Sequence, residues 1–327
     1  ALGWRWYARS CTCLISALNN YLFPITPHFI WLNAGMWSYW FLAIGLCEVS
    51  LIMPFKFPQL GGEALVMGII NLSPDSFYGK SRCKTVEQAL STAERMLEEG
   101  ADILDIGAES SRPGSVPISV QEELDRLLPV LIKLVEVSNI PISVDTYKSK
   151  VAHEVLQSGA SIINDIKGLQ QSEEMAQTIS RFQAGVILMH MQGLPETMQD
   201  RPKYGDVLTE VFEYLEQSIA IAVAAEINPK KIAIDPGIGF GKTDAHNLLI
   251  LKNLNRLQEL SKPVLLGVSR KSLIGNILNV PIEERLEGSI AAAVYGLTQG
   301  VSIIRTHDVR ATRRAVKVAE AIMKEEI

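Results

Sequence analysis

Cysteine is almost missing from the body of this chain. Of its 327 residues only four are cysteines, Cys11, Cys13, Cys47 and Cys83, and only Cys83 lies outside the first 60 positions. A lone thiol cannot build a disulfide framework and points to a reducing compartment, the cytoplasm. Neither CxxC nor HExxH spacing occurs, which argues against a structural zinc site. Positive charge is in deficit: 31 Lys and Arg against 36 Asp and Glu give a net charge of -5, so nothing in the balance suggests a nucleic-acid partner. No Ser-His-Asp order and no reactive setting for Cys83 is visible, so covalent catalysis by the protein is not supported, and Cys83 reads as incidental.

Two further absences divide the chain. Charge is missing from Ser10 to Cys47, and tryptophan is missing from everything beyond Trp40, all five (Trp4, Trp6, Trp31, Trp37, Trp40) lying near the start. The stretch from Phe29 to Leu46 approaches the ~20 apolar residues that span a bilayer, but Asn33, Ser38 and two glycines dilute it. A membrane anchor, a targeting leader and a segment foreign to the rest of the chain remain open readings; a first residue Ala1 suits the last. Residues 1–62 are set apart as a hydrophobic extension of unknown role, and residues 63–327 as one domain; membrane attachment is not expected.

From Leu65 onward short apolar runs alternate with amphipathic stretches. Candidate strands are 65–71, 102–107, 140–145, 161–164, 185–190, 231–235, 263–267 and 301–305, each rich in Ile, Val and Leu, as expected for strands buried on both faces of a parallel sheet. Residues 85–99 are typical of what lies between: Val86, Ala89, Leu90, Ala93, Met96 and Leu97 share one helical face, and Gly100 follows at the C-terminal cap. Eight strand-then-helix units predict an α/β fold, a single (β/α)8 TIM barrel, which takes roughly 250 residues; a doubly wound open sheet is the alternative.

A barrel gathers its functional groups just after its strands. The residues that suit neither a core nor a solvated face stand there: Asn71, Glu109 to Arg112, Asp145, Asn164, Asp235, Ser269 to Lys271, and Arg305 to His307. Asp145, Asn164 and Asp235 could each be a turn or cap residue after its strand. Together at one mouth they suit a flat heterocycle with an amidine-like N–C–N edge, because a carboxylate accepts two hydrogen bonds and an amide donates and accepts. Arg112, Arg270, Lys271, Arg305 and His307 make the mouth locally positive in a negative protein, which points to an anionic substrate such as a phosphate ester. Asn71 could add an oxygen ligand to a Mg²⁺ that also touches a diphosphate.

The run from Asp235 to Thr243 looks like a P-loop but is not one: Pro236 stands where the spacing requires glycine. Its glycines are read as allowing backbone close to a flat ligand, with Phe240 either an aromatic wall or ordinary loop packing. His190 reads as a satisfied histidine at a strand end sooner than as a general base, and Met189 beside it as an apolar face for a ring.

Eight segments in order resemble the dihydropteroate synthase family of pterin-binding enzymes. They are Met-Gly-Ile-Ile-Asn-Leu-Ser-Pro-Asp-Ser-Phe from Met67 to Phe77 and Gly-Ala-Glu-Ser-Ser-Arg-Pro-Gly from Gly107 to Gly114. Val144 to Lys148, Asn164 to Ile166, Leu188 to Gln192, Asp235 to Lys242, Ser269 to Ser272, and Arg305 to Asp308 follow, covering nearly all of 63–327. The resemblance implies that 7,8-dihydropterin-6-ylmethyl diphosphate is joined to p-aminobenzoate, with Mg²⁺, sulfonamide competition and a homodimer. It implies that Asp145, Asn164, Asp235 and Lys271 hold the pterin with Met189 packed against it. It assigns Asn71, Arg112, Arg305 and His307 to the diphosphate, Asn71 also to the metal, and Phe77, Ser111, Arg112, Pro113, Phe240 and Ser272 to the aminobenzoate. Asp145, Lys271, Arg305 and His307 would be the catalytic set.

The chain departs from the family twice: Tyr78 to Arg82 replaces the usual Asp-Gly-Gly type turn, and Ser111 stands where threonine is commoner. Two rivals keep the same barrel. A pterin-binding methyltransferase should lack the Ser-Arg-Lys-Ser and Arg-x-His loops, and a non-catalytic paralogue should have lost Asn71, Asp145, Lys271 or His307.

Overall fold

The computed structural model describes residues 55–58, 62–73, 83 and 85–325. The chain divides into two compact units, Ala1–Val49 and Ser50–Ile327, and the described residues belong to the second. Phe77 and the Tyr78 to Arg82 departure lie outside them.

Eight parallel strands carry the second unit: β1 (Leu65–Asn71), β2 (Ile103–Gly107), β3 (Ile142–Asp145), β4 (Ile162–Asp165), β5 (Gly185–Met189), β6 (Ile232–Asp235), β7 (Leu265–Gly267) and β8 (Ile303–Thr306). They lie in the order β6-β5-β4-β3-β2-β1-β8-β7, and a parallel bridge between Ile234 and Val264 joins the two ends. The result is the expected (β/α)8 barrel, not an open sheet. The helices are α1 (Val86–Glu98), α2 (Val120–Val137), α3 (Ser149–Gln157), α4 (Glu173–Arg181), α5 (Val207–Ala224), α6 (Asp244–Lys252), α7 (Ser272–Leu278), α8 (Leu286–Thr298) and α9 (Val309–Lys324). In α1, Thr85 caps the start by accepting from the Gln88 amide at 3.3 Å, and Ala89, Ala93 and Met96 are buried. Gly68 in β1 admits that helix, because a Cβ there would stand 2.8 Å from the Met96 sulfur.

Alternation along each strand separates two cores. Outward side chains such as Val66, Leu104, Val144, Ile163, Val186 and Ile234 join the large core under the helices. Inward side chains Met67, Ile103, Ile162, Ile187, Ala233, Leu265 and Ile303 form a second, dry cluster. Phe57 belongs to that cluster and Phe55 packs on it, edge to face with Phe57, whose amide donates to the Lys230 carbonyl at 3.1 Å. Residues 55–58, inside the stretch that the composition sets apart, therefore help to close the floor of the barrel. No described helix is long and apolar enough to cross a membrane.

Candidate active site at the barrel mouth

Two residues above the floor the inward side chains change character. Asp105, Asn164, Met189, Asp235, Gly267 and Arg305 follow Ile103, Ile162, Ile187, Ala233, Leu265 and Ile303 on their strands. A cavity open to solvent lies at this end, lined by Asn71, Ser111, Arg112, Pro113, Asp145, Phe240, Lys271, Ser272, Arg305 and His307 among others. With Glu109, Ser110, Ser269 and Arg270, fourteen of the residues picked from the sequence thus meet at one cavity. Asn164, Met189 and Asp235 are not in its lining; they are buried beside it, Asn164 in register with Asp145 and Met189 with Asp235. Met189 joins Ile166, Met191 and Met198 in an apolar cluster against which Phe240 packs, and Met198 also lines the cavity.

Asp105 was not picked out by its position after a strand, because it sits in the middle of one. It is fully buried and accepts from Arg305, Nε at 2.7 Å and Nη2 at 2.6 Å; Arg305 Nη2 also reaches Asp145 Oδ2 at 3.2 Å. The missed signal was parity: Asp105 shares its face of the strand with Ile103. Burial alone would lower the Arg305 pKa, but Asp105 and Asp145 outweigh it and raise it. Burial raises the Asp145 carboxyl, against the pull of Arg305 and with the help of Asp105. Asp105 Oδ1, Ser143 Oγ and Asn164 Oδ1 are buried with no hydrogen-bond partner among the described residues. Leaving such a group unmet costs about 1–3 kcal/mol, so the site is built to receive donors.

Across the mouth, burial pushes the Lys271 ammonium down to about 8, Asp235 opposing. Lys271 Nζ donates to the Ile238 carbonyl and stands 4.7 Å from the centre of the Phe240 ring. Burial raises the Asp235 carboxyl, with Lys271 and the Gly237 amide, at 2.7 Å, opposing. Gly267 leaves room here: a Cβ would come within 3.8 Å of Lys271 Nζ and 4.0 Å of Asp235 Oδ2. His307 Nδ1 is 3.0 Å from Ser269 Oγ, and burial, followed by Arg305, pushes its imidazole down to about 3. It is a neutral ring at physiological pH.

Of the expectations for these loops, only that for the glycines after β6 needs correction. Arg270 lines the cavity as expected, with its guanidinium held in a two-point pair with Asp308, at 2.7 and 2.9 Å, and donating to the carbonyls of Ile282 and Glu283. The glycines after β6 mostly serve backbone contact within the protein. A Cβ on Gly237 would stand 2.0 Å from the His190 carbonyl oxygen and one on Gly241 2.3 Å from that of Gln192, whereas Gly239 faces the Lys271 side chain. The P-loop-like Lys242 is buried and holds this loop from inside, 2.8 Å from His190 Nδ1 and donating to the Gly237 and Phe240 carbonyls at 3.0 and 3.1 Å. Burial and then Lys242 push the His190 imidazole far down, and its ring packs on Tyr204 and Tyr214, so it is a satisfied neutral histidine.

A closed parallel barrel with cations and buried acids converging at the C-terminal ends of its strands defines an enzyme site for a polar heterocycle and an anion. The family model for pterin binding enzymes matches residues 67–307. The chain belongs to that family, and within it to the dihydropteroate synthases. It is 44% identical over 258 residues to the dihydropteroate synthase of Escherichia coli (strain K12), an alignment covering 79% of this chain and 91% of that one. The crystal structure of the Yersinia pestis dihydropteroate synthase with a sulfonamide drug complex superposes with a TM-score of 0.78 at 42% identity, covering 83% of this chain and all of the other. The Xanthomonas albilineans dihydropteroate synthase with 4-aminobenzoic acid gives 0.74 at 42% identity, covering 80% and 93%.

Proposed function

We propose that this chain is a transferase that condenses 7,8-dihydropterin-6-ylmethyl diphosphate with p-aminobenzoate, giving 7,8-dihydropteroate and diphosphate for folate synthesis. The observation that carries the reading is the set of acceptors at the mouth, the buried Asn164 and Asp235 with the half-buried Asp145. Asp145, Asn164 and Asp235 face the donor-rich edge of a pterin, Lys271 meets its carbonyl side, and Met189 supplies an apolar wall. Arg305 and His307, with Arg112, take the diphosphate. Ser111, Arg112, Pro113, Phe240 and Ser272 shape the aminobenzoate site, with Phe77 assigned there by resemblance alone.

The carbon–oxygen bond to the diphosphate breaks with its electron pair leaving on oxygen, so positive charge develops on the pterin methylene. Asp145, half-buried beside it, stabilises that charge, while Arg305 counters the departing anion. The aniline nitrogen then attacks the methylene and releases its proton. Fixed charges in a dry site serve both ends without a strong protein base. His307, neutral, can donate or accept a hydrogen bond at the diphosphate without adding charge.

No group of three or more His, Cys, Asp or Glu among the described residues could hold a metal. A hard amide oxygen at Asn71 fits a Mg²⁺ that keeps its waters and takes substrate phosphate oxygens, and such an ion supplies neutralisation of the diphosphate. A cytoplasmic location belongs to the same proposal, supported by Cys83, a free and buried thiol and the one cysteine among the described residues. So does a homodimer, for which the exposed Ile277 and Leu278 on α7 and Tyr295 on α8 supply apolar surface; light scattering at the mass of one chain would remove it.

The direct test is incubation of the purified chain with pterin diphosphate, p-aminobenzoate and MgCl₂. Pteroate and diphosphate should appear in equal amounts, and a sulfonamide should compete with the aminobenzoate and not with the pterin. Absence of both products would overturn the reading.

A further inference from the structure

Behind the loop that follows β2, two buried acids share one lysine. Glu109 and Glu123 have side chains 9% and 1% exposed. Lys148, three residues past Asp145 at the start of α3, places Nζ 2.6 Å from Glu109 Oε2 and 2.6 Å from Glu123 Oε2. The same ammonium donates to the Ile118 carbonyl at 2.7 Å. The Tyr147 hydroxyl donates to the other oxygen of Glu109 at 2.6 Å, and the Ile118 amide to Glu109 at 3.0 Å. Both ends of the loop 109–118 are thereby fixed to residues 147 and 148. Burial would lower the Lys148 pKa, but Glu109 and Glu123 outweigh it, so the ammonium is held charged.

This arrangement has a chemical purpose beyond packing. The loop carries Ser111, Arg112 and Pro113 into the cavity, yet Lys148 and Tyr147 do not line it. Across the loop, Ser115 Oγ donates to the carbonyls of Ser110 and Arg112, at 2.5 and 2.7 Å, so a shift at Glu109 carries the whole tip with it. Without the lysine, two buried carboxylates would face each other uncompensated, and repulsion would lift the loop from β3. Of the pterin contacts, Asn164, Asp235 and Lys271 lie on β4, β6 and the loop after β7, away from these bonds; Asp145, three residues before Lys148, feels Glu109 and Glu123 only as weaker contributions behind burial, Arg305 and Asp105.

We infer that Lys148 is the positioning residue of the aminobenzoate half of the site, acting through Glu109, Glu123 and Tyr147 on the loop 109–118 and touching neither substrate. The inference rests on the reaction proposed above. Lys148→Met should raise KM for p-aminobenzoate about tenfold, a change of ~1.4 kcal/mol in apparent affinity, and leave KM for the pterin diphosphate within about twofold. Lys148→Arg should restore most of the loss. Both KM values rising together, or neither rising, in a folded Lys148→Met would overturn it. Should Lys148→Met fail to fold, Tyr147→Phe decides, since it keeps every charge and removes one donor to Glu109: a rise of about threefold confined to the aminobenzoate supports the inference, and unmoved values overturn it. The wild type runs alongside. A wild type that makes no pteroate overturns the proposed reaction and this inference with it, whereas an active wild type with an unmoved variant overturns the inference alone.

Discussion

The floor and the mouth of this barrel are built on the same strands, one inward side chain apart. Ile103, Ile162, Ala233 and Ile303 fill the floor; Asp105, Asn164, Asp235 and Arg305 stand two residues later. That step is about 6.7 Å along a strand, so the polar layer stands directly on the apolar one and is shielded from water on that side. The floor gains its stability from burial that any similar hydrophobic set would supply. The mouth must satisfy each buried polar group individually, and Asp105, Ser143 and Asn164 each retain an atom with no partner among the described residues. Stability is concentrated below and recognition above.

The two layers should therefore fail in different ways. Asp145→Asn keeps the shape of the mouth and removes the charge facing the developing cation; kcat should fall by about 10³ while the melting temperature barely moves. Near-normal turnover in that variant would end the electrostatic role assigned to Asp145. In the floor, Ile303→Ala should cost about 2–5 kcal/mol in urea unfolding and leave kcat within about twofold in the folded fraction. A large loss of kcat there would mean that the layers are not separable. The smallest effect concerns pH. The Lys271 ammonium is pushed down to about 8 by burial, so it is charged below that value and neutral above it. Pterin affinity by calorimetry should be level up to pH 8 and then weaken by up to tenfold per unit, and Lys271→Met should remove the slope. A slope that survives the substitution belongs to another group.

The barrel was legible in the sequence because strands covered on both faces read as continuous apolar runs, and each predicted run contains an observed strand except for the last residue or so. Polar residues just after strands were equally legible: Asn71, Asp145, Lys271, Arg305 and His307 all line the cavity. Asp105 was hidden because a charge inside a strand looks like a flaw in a hydrophobic run until parity is followed inward. Arg270 was legible as a residue of the mouth, but its pairing was not, because Asp308 lies 38 residues away and no spacing reports that pair. The same holds for Lys148, whose acids come from residues 39 and 25 positions earlier. Phe57 lay in a stretch judged by its composition as a whole, and single-residue packing is invisible at that scale.

The barrel has one thin seam. Every other neighbouring pair of strands shares a ladder of at least three registered residues, whereas β6 and β7 meet through the bridge of Ile234 with Val264 and the bond from the Ile234 amide to the Pro263 carbonyl, 2.9 Å long. Asp235 stands on one side of that seam and Lys271 on the other. A ring gripped by both would be a rivet across the joint, so amide exchange at Ile234 should slow when the pterin is added.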